Sequence, residues 1–64
     1  MKIIRIDGGH RMGEKLRQMA IFPGIIVKVL RYAPLGGPVM IEVEGRTVAL
    51  GRGIARHVQV VRLI

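Results

Sequence analysis

Residues 39–50 read VMIEVEGRTVAL, and this stretch decides the fold. Apolar and polar side chains alternate along 39–43 with the period of two that is typical of a half-buried β-strand. Gly45-Arg46 fits the centre of a two-residue type II′ turn, because glycine accepts the positive φ of the first central position. This hairpin register predicts three facing pairs: Glu44 with Thr47, Val43 with Val48, and Ile41 with Leu50. Its apolar pairs all share one face, and both glutamates lie on the other.

The sequence on either side of the hairpin predicts further short elements. They are a strand at Ile3–Ile6, a helix from Arg11 to Ala20, a strand at Ile25–Tyr32, one helical turn over Ile54–Arg56 and a last strand from Val58 to Ile64. The helix is supported by apolar residues at helical spacing, namely Met12, Leu16, Met19 and Ala20. Asp7-Gly8-Gly9 and Pro23-Gly24 favour tight turns, the second of type II.

These elements predict one mainly β domain over residues 1–64. The expected architecture is a small, strongly bent barrel of about five strands, with one short α-helix and one helical turn before the last strand. Closing the barrel would remove exposed strand edges, which a chain rich in β-formers needs in order to stay soluble. An open three-stranded sheet is the alternative.

The residue inventory argues against an enzyme. The chain has 64 residues and no cysteine or serine, so a Ser or Cys nucleophile and a thiolate metal cage are excluded. Its 4 acidic residues leave little material for general acid–base chemistry.

The charge balance predicts an acidic partner. Lys and Arg number 11 and the net charge is +7, spread along the chain rather than concentrated in a basic tail. Nucleic acid, an anionic membrane surface and an acidic protein patch are the candidate partners. The longest uncharged stretch, Gln18–Val27, is too short to span a bilayer, and the start of the chain lacks a signal-peptide core. We therefore expect a cytoplasmic protein.

Three residues are candidate metal ligands. His10 and Glu14 would lie one helical turn apart, and His57 could join them only through the fold. The competing interpretation treats His10 and Glu14 as solvated side chains at a helix start, and we favour it.

The loop Ala33-Pro34-Leu35-Gly36-Gly37-Pro38 places an apolar side chain at its tip. Leu35 could anchor a partner, because an exposed apolar side chain on a stiffened loop often does so. Alternatively the loop folds back over the barrel mouth and buries Leu35. The sequence leaves these two interpretations open.

Several motifs occur in order along the chain. They are Asp7-Gly8-Gly9, the helix residues Leu16–Met19, the run Ile21-Phe22-Pro23-Gly24, the strand Ile25–Leu30, the Ala33–Pro38 loop, the hairpin at Gly45–Leu50 and the end Ala55–Val60. In this order and spacing they resemble the FeoA family over nearly the whole chain. Ala20 departs from the pattern, since that family commonly has glycine there.

The resemblance implies an SH3-like β-barrel that serves as a small cytoplasmic accessory protein of a ferrous iron uptake system. Its expected partner is the FeoB-type membrane transporter, which has a cytoplasmic GTP-binding region, and it would lie at most peripherally on the inner face of the membrane. The expected contacts are Leu35 as the anchor, Pro34, Gly36 and Gly37 in its loop, Pro23 and Gly24 in a turn, and Arg17, Arg31 and Arg52 as the complementary charges.

The resemblance carries over no metal ligands and requires no cofactor. In the related module of iron-dependent repressors, a Glu and a Gln near the helix start contact metal, but Gly9–Met12 here offers only His10. Two other functions remain as alternatives. One is a nucleic-acid-binding basic barrel, although Phe22 and Tyr32 are the only aromatics available for stacking. The other is a sensor or carrier of Fe²⁺ that uses His10, Glu14 and His57. A homo-oligomer is also left open.

Overall fold

The computed structural model describes residues 1–63 and contains five strands and two short helices in that range. They are β1 (Lys2–Ile6), α1 (Gly9–Gln18), β2 (Val27–Tyr32), β3 (Val39–Val43), β4 (Arg46–Leu50), α2 (Arg52–Ala55) and β5 (Val58–Val61). The mainly β class and the predicted order of elements are confirmed. The last strand is shorter than predicted. Ile64, where the predicted strand ended, lies outside the described residues.

The strands form two antiparallel sheets that meet at β1. One sheet pairs β1 with β5, and the other has the order β2-β3-β4. Lys2 also bridges to Ile26, just before β2. The N–H of Ile3 donates to the carbonyl of Ile25 at 2.9 Å, and that of Val27 to the carbonyl of Met1 at 2.8 Å. The strands therefore follow one curved path of SH3-like order, β5-β1-β2-β3-β4, and no ladder within residues 1–63 joins β4 to β5.

Aliphatic side chains from both sheets and from α1 share one core. The buried residues are Ile3, Leu16, Ile21, Val27, Val39, Ile41, Val43 and Leu50. The three from β3 are the alternate residues predicted from the period of two. Met12 and Met19 of the helical stripe pack against this core without being fully buried. The helix thus covers the core with the apolar face that the sequence indicated.

Helix α1 occupies Gly9–Gln18 rather than the predicted Arg11–Ala20. Its end is a Schellman motif, in which the N–H of Ile21 donates to Leu16 O and the N–H of Ala20 to Arg17 O, both at 2.9 Å. Leu16 and Ile21 are both fully buried, which supplies the hydrophobic contact that accompanies this motif. The motif requires a left-handed residue, and Ala20 has φ 63°. Ala20 therefore ends the helix instead of extending it.

The β3–β4 hairpin has a different turn from the predicted one. Val43 pairs with Arg46 and Ile41 with Val48, so the turn residues are Glu44-Gly45. Both have positive φ, 49° and 78°, as a type I′ turn requires. The predicted centre at Gly45-Arg46 and the pairing of Ile41 with Leu50 are wrong. The correction moves each partner by two positions, so the apolar residues keep the predicted face.

Other boundaries also differ from the sequence prediction, and β1 begins at Lys2 rather than Ile3. Strand β2 begins at Val27 rather than Ile25, α2 covers Arg52–Ala55 rather than Ile54–Arg56, and β5 ends at Val61. The residues just before β2 bond to the start of the chain, since Lys2 bridges to Ile26, and the predicted turn at Pro23-Gly24 comes before them. Gly24 has φ 99°, and the N–H of Ile25 donates to Phe22 O at 3.2 Å across that turn.

Replacing Ala20 with glycine should stabilise the protein. The left-handed conformation costs a non-glycine residue roughly 1–2 kcal/mol, and glycine avoids this cost. Glycine also loses more conformational freedom on folding, which offsets about 0.5–1 kcal/mol of the stabilisation. We expect Ala20→Gly to raise the free energy of unfolding in urea by about 0.5–1 kcal/mol. The matched control is Ala49→Gly in β4, which should lower that free energy because strand backbone gains nothing from glycine. Destabilisation of both variants alike would contradict the Schellman assignment.

Candidate docking loop

The Ala33–Pro38 loop, which joins β2 to β3, is closed by its own backbone. The N–H of Gly37 donates to Pro34 O at 3.1 Å, and the N–H of Ala33 donates to Pro38 O at 3.0 Å. Leu35 and Gly36, at the centre of the tighter turn, have φ 58° and 73°. Positive φ at both central residues is the pattern of a type I′ turn. The loop is therefore a hydrogen-bonded structure that extends the β2–β3 hairpin.

Leu35 is fully exposed at the tip of this loop, with a relative accessibility of 103%. The loop does not fold back over the barrel, which answers the question that the sequence left open. The exposure is accompanied by backbone strain, because a bulky residue rarely adopts a left-handed conformation. Leu35 thus has an unfavourable backbone conformation and no compensating burial within the described residues.

Gly37 makes the loop sterically feasible. A Cβ atom at this position would lie 2.8 Å from the Cβ of Ala33 and 3.1 Å from the carbonyl oxygen of Pro34. Contacts under 3.0 Å between carbon atoms are strongly repulsive, and the first of these cannot be relieved by rotating a flexible side chain. The second glycine of the Gly36-Gly37 pair is therefore needed for close packing of the two loop ends.

Arg52, the first residue of α2, holds the loop from the side. Its Nε donates to the carbonyl of Gly37 at 2.9 Å, and one terminal nitrogen donates to the carbonyl of Ala33 at 3.3 Å. The same guanidinium lies over the Tyr32 ring, 5.5 Å from its centroid. The sequence alone predicts Arg52 as a charge that contacts a partner. The structure shows that it braces the loop, a role that no local pattern indicates because the contact joins residues distant in sequence.

Of the remaining predicted contact residues, Pro23, Gly24 and Arg17 lie away from the loop, and Arg31 lies close to it in sequence. Pro23-Gly24 precedes β2 whereas the loop follows it, so the turn and the loop are at opposite ends of that strand. Arg17 lies over the Phe22 ring, 5.4 Å from its centroid. Arg31 is exposed on β2, next to the Tyr32 that Arg52 covers. Of the predicted charges, Arg31 and Arg52 are therefore near the loop in sequence or in space, while Arg17 belongs to the helix.

An apolar groove of about 440 Å³ lies between the two sheets and reaches the base of the loop. Tyr32, Val39 and Arg52 line it near the loop, and Val58 and Val60 line it from β5. Its charged lining residues are Arg52 and Arg56. The sequence did not indicate this groove, since its walls come from strands that are far apart in the chain.

The candidate metal ligands are not brought together. His10 and Glu14 are one turn apart on α1, and both are exposed. His57 lies beside the residue that precedes α1, with its Nδ1 3.2 Å from the point where a side chain on Gly8 would begin. Within residues 1–63, no three His, Asp or Glu side chains converge as a set of metal ligands. An iron site built from these three residues remains a sequence prediction.

Comparison with known proteins agrees with this fold. The family model of the FeoA domain matches residues 1–62. This chain belongs to the FeoA family. A crystal structure of an iron uptake regulatory protein (FeoA) is 38% identical, with a TM-score of 0.80 over 89% of this chain and 75% of that one. The solution structure of iron(II) transport protein A from Clostridium thermocellum is 28% identical, with a TM-score of 0.81 over 91% of this chain and 36% of that one. A search of curated proteins finds no match.

Membership of the FeoA family associates the chain with ferrous iron transport. The motifs that suggested the family from the sequence are also the ones with clear structural roles. The Pro-Leu-Gly loop forms the hydrogen-bonded turn around Leu35, and Ala20 has the left-handed backbone that suits the family's glycine. Neither helix in residues 1–63 is long and apolar enough to cross a membrane.

Removing the Arg52 guanidinium should release the loop without unfolding the barrel. Lysine cannot reproduce the planar fork that reaches two carbonyls and lies over a ring, so Arg52→Lys should behave like Arg52→Ala. We expect lower backbone order parameters at residues 35–37 in ¹⁵N relaxation. The unfolding free energy should fall by only about 1 kcal/mol, because these hydrogen bonds are exposed. Arg31→Lys on β2 is the matched control and should leave the loop ordered. Unchanged order parameters in both Arg52 variants would rule out the brace.

Proposed function

We propose that this FeoA-family chain is a non-enzymatic accessory protein of ferrous iron uptake. It docks through the Leu35 loop on the cytoplasmic GTP-binding region of a FeoB-type transporter and modulates transport from the inner face of the membrane. The observation that carries the proposal is Leu35 itself, a fully exposed leucine in a left-handed backbone conformation. Because no contact within the described part of the fold offsets this backbone strain, we infer that Leu35 is kept for binding a partner.

The loop has the energetic properties of a binding element. Burial of a leucine side chain that was fully exposed contributes about 1.5–3 kcal/mol, so a partner pocket around Leu35 would gain a large contribution from one residue. The type I′ turn and the Arg52 brace hold the loop in one conformation before binding, which lowers the entropy lost on association. The adjoining apolar groove offers further surface for the same partner.

The charge of the chain complements an acidic surface around that pocket. The net charge is +7, and Arg31 and Arg56 are exposed close to the loop and the groove. Charges at the rim of an interface mainly raise the association rate and orient the partner. An acidic patch on the transporter would therefore guide the Leu35 loop toward its pocket, with an association rate that falls as salt is added.

The structure favours docking over nucleic-acid binding. Single-stranded nucleic acid requires open aromatic faces on which bases can stack. Each of the two aromatic rings, Phe22 and Tyr32, already has an arginine guanidinium over one face. The iron sensor or carrier is also less favoured, because its proposed ligands His10, Glu14 and His57 do not converge in the described part of the chain.

The decisive variant is Leu35→Asn. Asparagine tolerates left-handed backbone better than leucine, so the variant should fold at least as stably as the wild type. Its loss of the apolar anchor should weaken binding to the purified cytoplasmic region of the transporter from the same organism. An anchor contribution of about 2 kcal/mol corresponds to a roughly thirtyfold increase in Kd, measured by isothermal titration calorimetry.

Leu63→Asn provides the matched control, since Leu63 is also an exposed leucine but lies outside the loop. It should leave the Kd unchanged. A Leu35→Asn variant that binds as tightly as the wild type would refute the anchor. Absence of binding by the wild type itself would refute docking on this region of the transporter.

A further inference from the structure

The groove between the two sheets opens directly onto the hydrophobic core. Five of the eight buried core side chains line its floor, and these are Ile3, Val27, Val39, Ile41 and Leu50. The volume of the groove, about 440 Å³, is within the range of small-molecule sites in proteins. Aliphatic side chains offer water no hydrogen bonds, so the surface of this groove favours an apolar ligand over water.

The two charged residues of the groove lie together at one end. Tyr32, Val39 and Leu50 are paired neighbours across β2, β3 and β4. Arg52 begins α2 two residues after Leu50, and Arg56 follows one helical turn later. Both arginines line the groove. Positive charge is therefore concentrated at the end of the groove that is nearest the Leu35 loop.

The opposite end of the groove is apolar. It lies where β2 begins, since the N–H of Val27 donates to the carbonyl of Met1 at 2.8 Å and Val60 pairs with Ile3. All four of these residues line the groove. The groove therefore extends over roughly the length of β2, about 16 Å. One end is positive and the rest is aliphatic, which is the pattern that complements an anionic amphiphile.

No acidic side chain among residues 1–63 lines the groove. Asp7 is linked to Arg56 through Gln59, whose amide donates to the Asp7 carboxylate and to Arg56 O. That carboxylate already pairs with Arg5 at 2.9 Å. Like charges four residues apart destabilise a helix, so an anion beside Arg52 and Arg56 would relieve their repulsion.

The other three acidic residues face away from the charged end. Glu42 lies between Ile41 and Val43, both buried, and therefore projects from the opposite face of β3. Glu44 is in the β3–β4 turn, at the end of the hairpin away from the arginines. Glu14 is exposed on α1, a helix that contributes no residue to the groove.

We propose that this groove binds a fatty acid, an unbranched aliphatic chain that ends in a carboxylate. The carboxylate lies between the guanidiniums of Arg52 and Arg56, and the chain extends over the core side chains toward Met1. A guanidinium matches a carboxylate closely, because its planar N–H donors form two parallel bonds. Arg52 uses Nε and one terminal nitrogen for the loop, which leaves its other terminal nitrogen for the ligand.

Two other occupants suit the groove less well. A second copy of this chain carries the same net charge of +7, which repels the two arginines at the charged end. A peptide has a polar amide at every residue, and the aliphatic floor offers these amides no hydrogen bonds. A fatty acid has one polar group, and both guanidiniums of the groove lie at the end where that group binds.

The fatty-acid site does not depend on the proposed docking function. The Leu35 loop projects from the barrel beside the charged end, so a ligand inside the groove leaves Leu35 exposed. It would occupy only the adjoining apolar surface that a protein partner otherwise contacts. The test therefore uses the full chain and a ligand alone, with no transporter present.

Isothermal titration calorimetry with decanoate, below the concentration at which decanoate forms micelles, should show a single site. Affinity should rise roughly fourfold for each methylene added from octanoate to decanoate, because each methylene buries further apolar surface. Decanol has the same chain with an uncharged head group and should bind about tenfold more weakly. Equal affinities for decanol and decanoate would overturn the proposal.

Two pairs of variants test the walls and the charged end. Val60 and Val61 are neighbours on β5 and are 39% and 41% exposed, but only Val60 lines the groove. Val60→Asn should weaken decanoate binding about fivefold, and Val61→Asn less than about twofold. Arg56→Gln should weaken it about tenfold. Its control is Arg11→Gln, which changes an exposed arginine of α1 and should leave the affinity unchanged.

Thermal unfolding without ligand verifies that each variant is folded. Arg56→Gln, a change at an exposed side chain, tests the site if Val60→Asn does not fold. Equal losses of affinity within either pair would overturn the proposal, as would a wild type that does not bind decanoate, whatever the transporter experiment shows. A wild-type dimer that Val60→Asn dissociates would assign the groove to a second copy and would also overturn it.

Discussion

Strand β1 joins the two sheets, and the rest of the structure depends on that junction. On one side β1 pairs with β5, and on the other its backbone bonds to the segment that leads into β2. The N–H of Gly24 donates to Ile3 O at 2.7 Å, and the N–H of Ile3 donates to Ile25 O. Ile3 is 1% exposed, so its side chain enters the core that both sheets share. Backbone pairing and burial therefore act together at one residue.

The same junction explains where the functional surfaces lie. Once β1 and β5 are held against β2, α2 is positioned so that Arg52 reaches the loop at the far end of the β2–β3 hairpin. The loop can then remain in a strained conformation, because its two ends are fixed by backbone bonds and by one guanidinium. The small core thus supports a rigid loop over Ala33–Pro38 that contains none of the buried core residues.

The sequence predicted which side chains of a strand are buried more accurately than it predicted where elements end and which turns join them. Alternation along Val39–Val43 identified the buried residues correctly, because a period of two survives any shift of an even number of positions. The turn of that hairpin was placed one residue too late, since Gly45 suits either a type I′ or a type II′ turn. The end of α1 was also misplaced. Ala20 is a strong helix former, and only the bonds from Ala20 and Ile21 back to Arg17 and Leu16 show that it ends the helix.

The candidate site was predicted in part. The loop and its exposed leucine were recognisable from Pro34, Leu35 and the two glycines that follow. The exposure of Leu35 could not be predicted, because an apolar residue on a loop can be buried or exposed with the same local sequence. The role of Arg52 and the existence of the groove were also hidden, since both arise where distant segments meet.

By itself, the sequence determined the class of the fold, which face of its strands is buried, its family and the position of the Leu35 loop. These properties follow from local periodicity, turn-forming residues and motif order, which are written along the chain. Tertiary structure decided the hairpin register, the left-handed end of the helix, the exposure of Leu35, the bracing by Arg52 and the groove between the two sheets. Each of these depends on which distant backbone groups hydrogen-bond and which surfaces pack together, and local sequence preferences do not specify that choice.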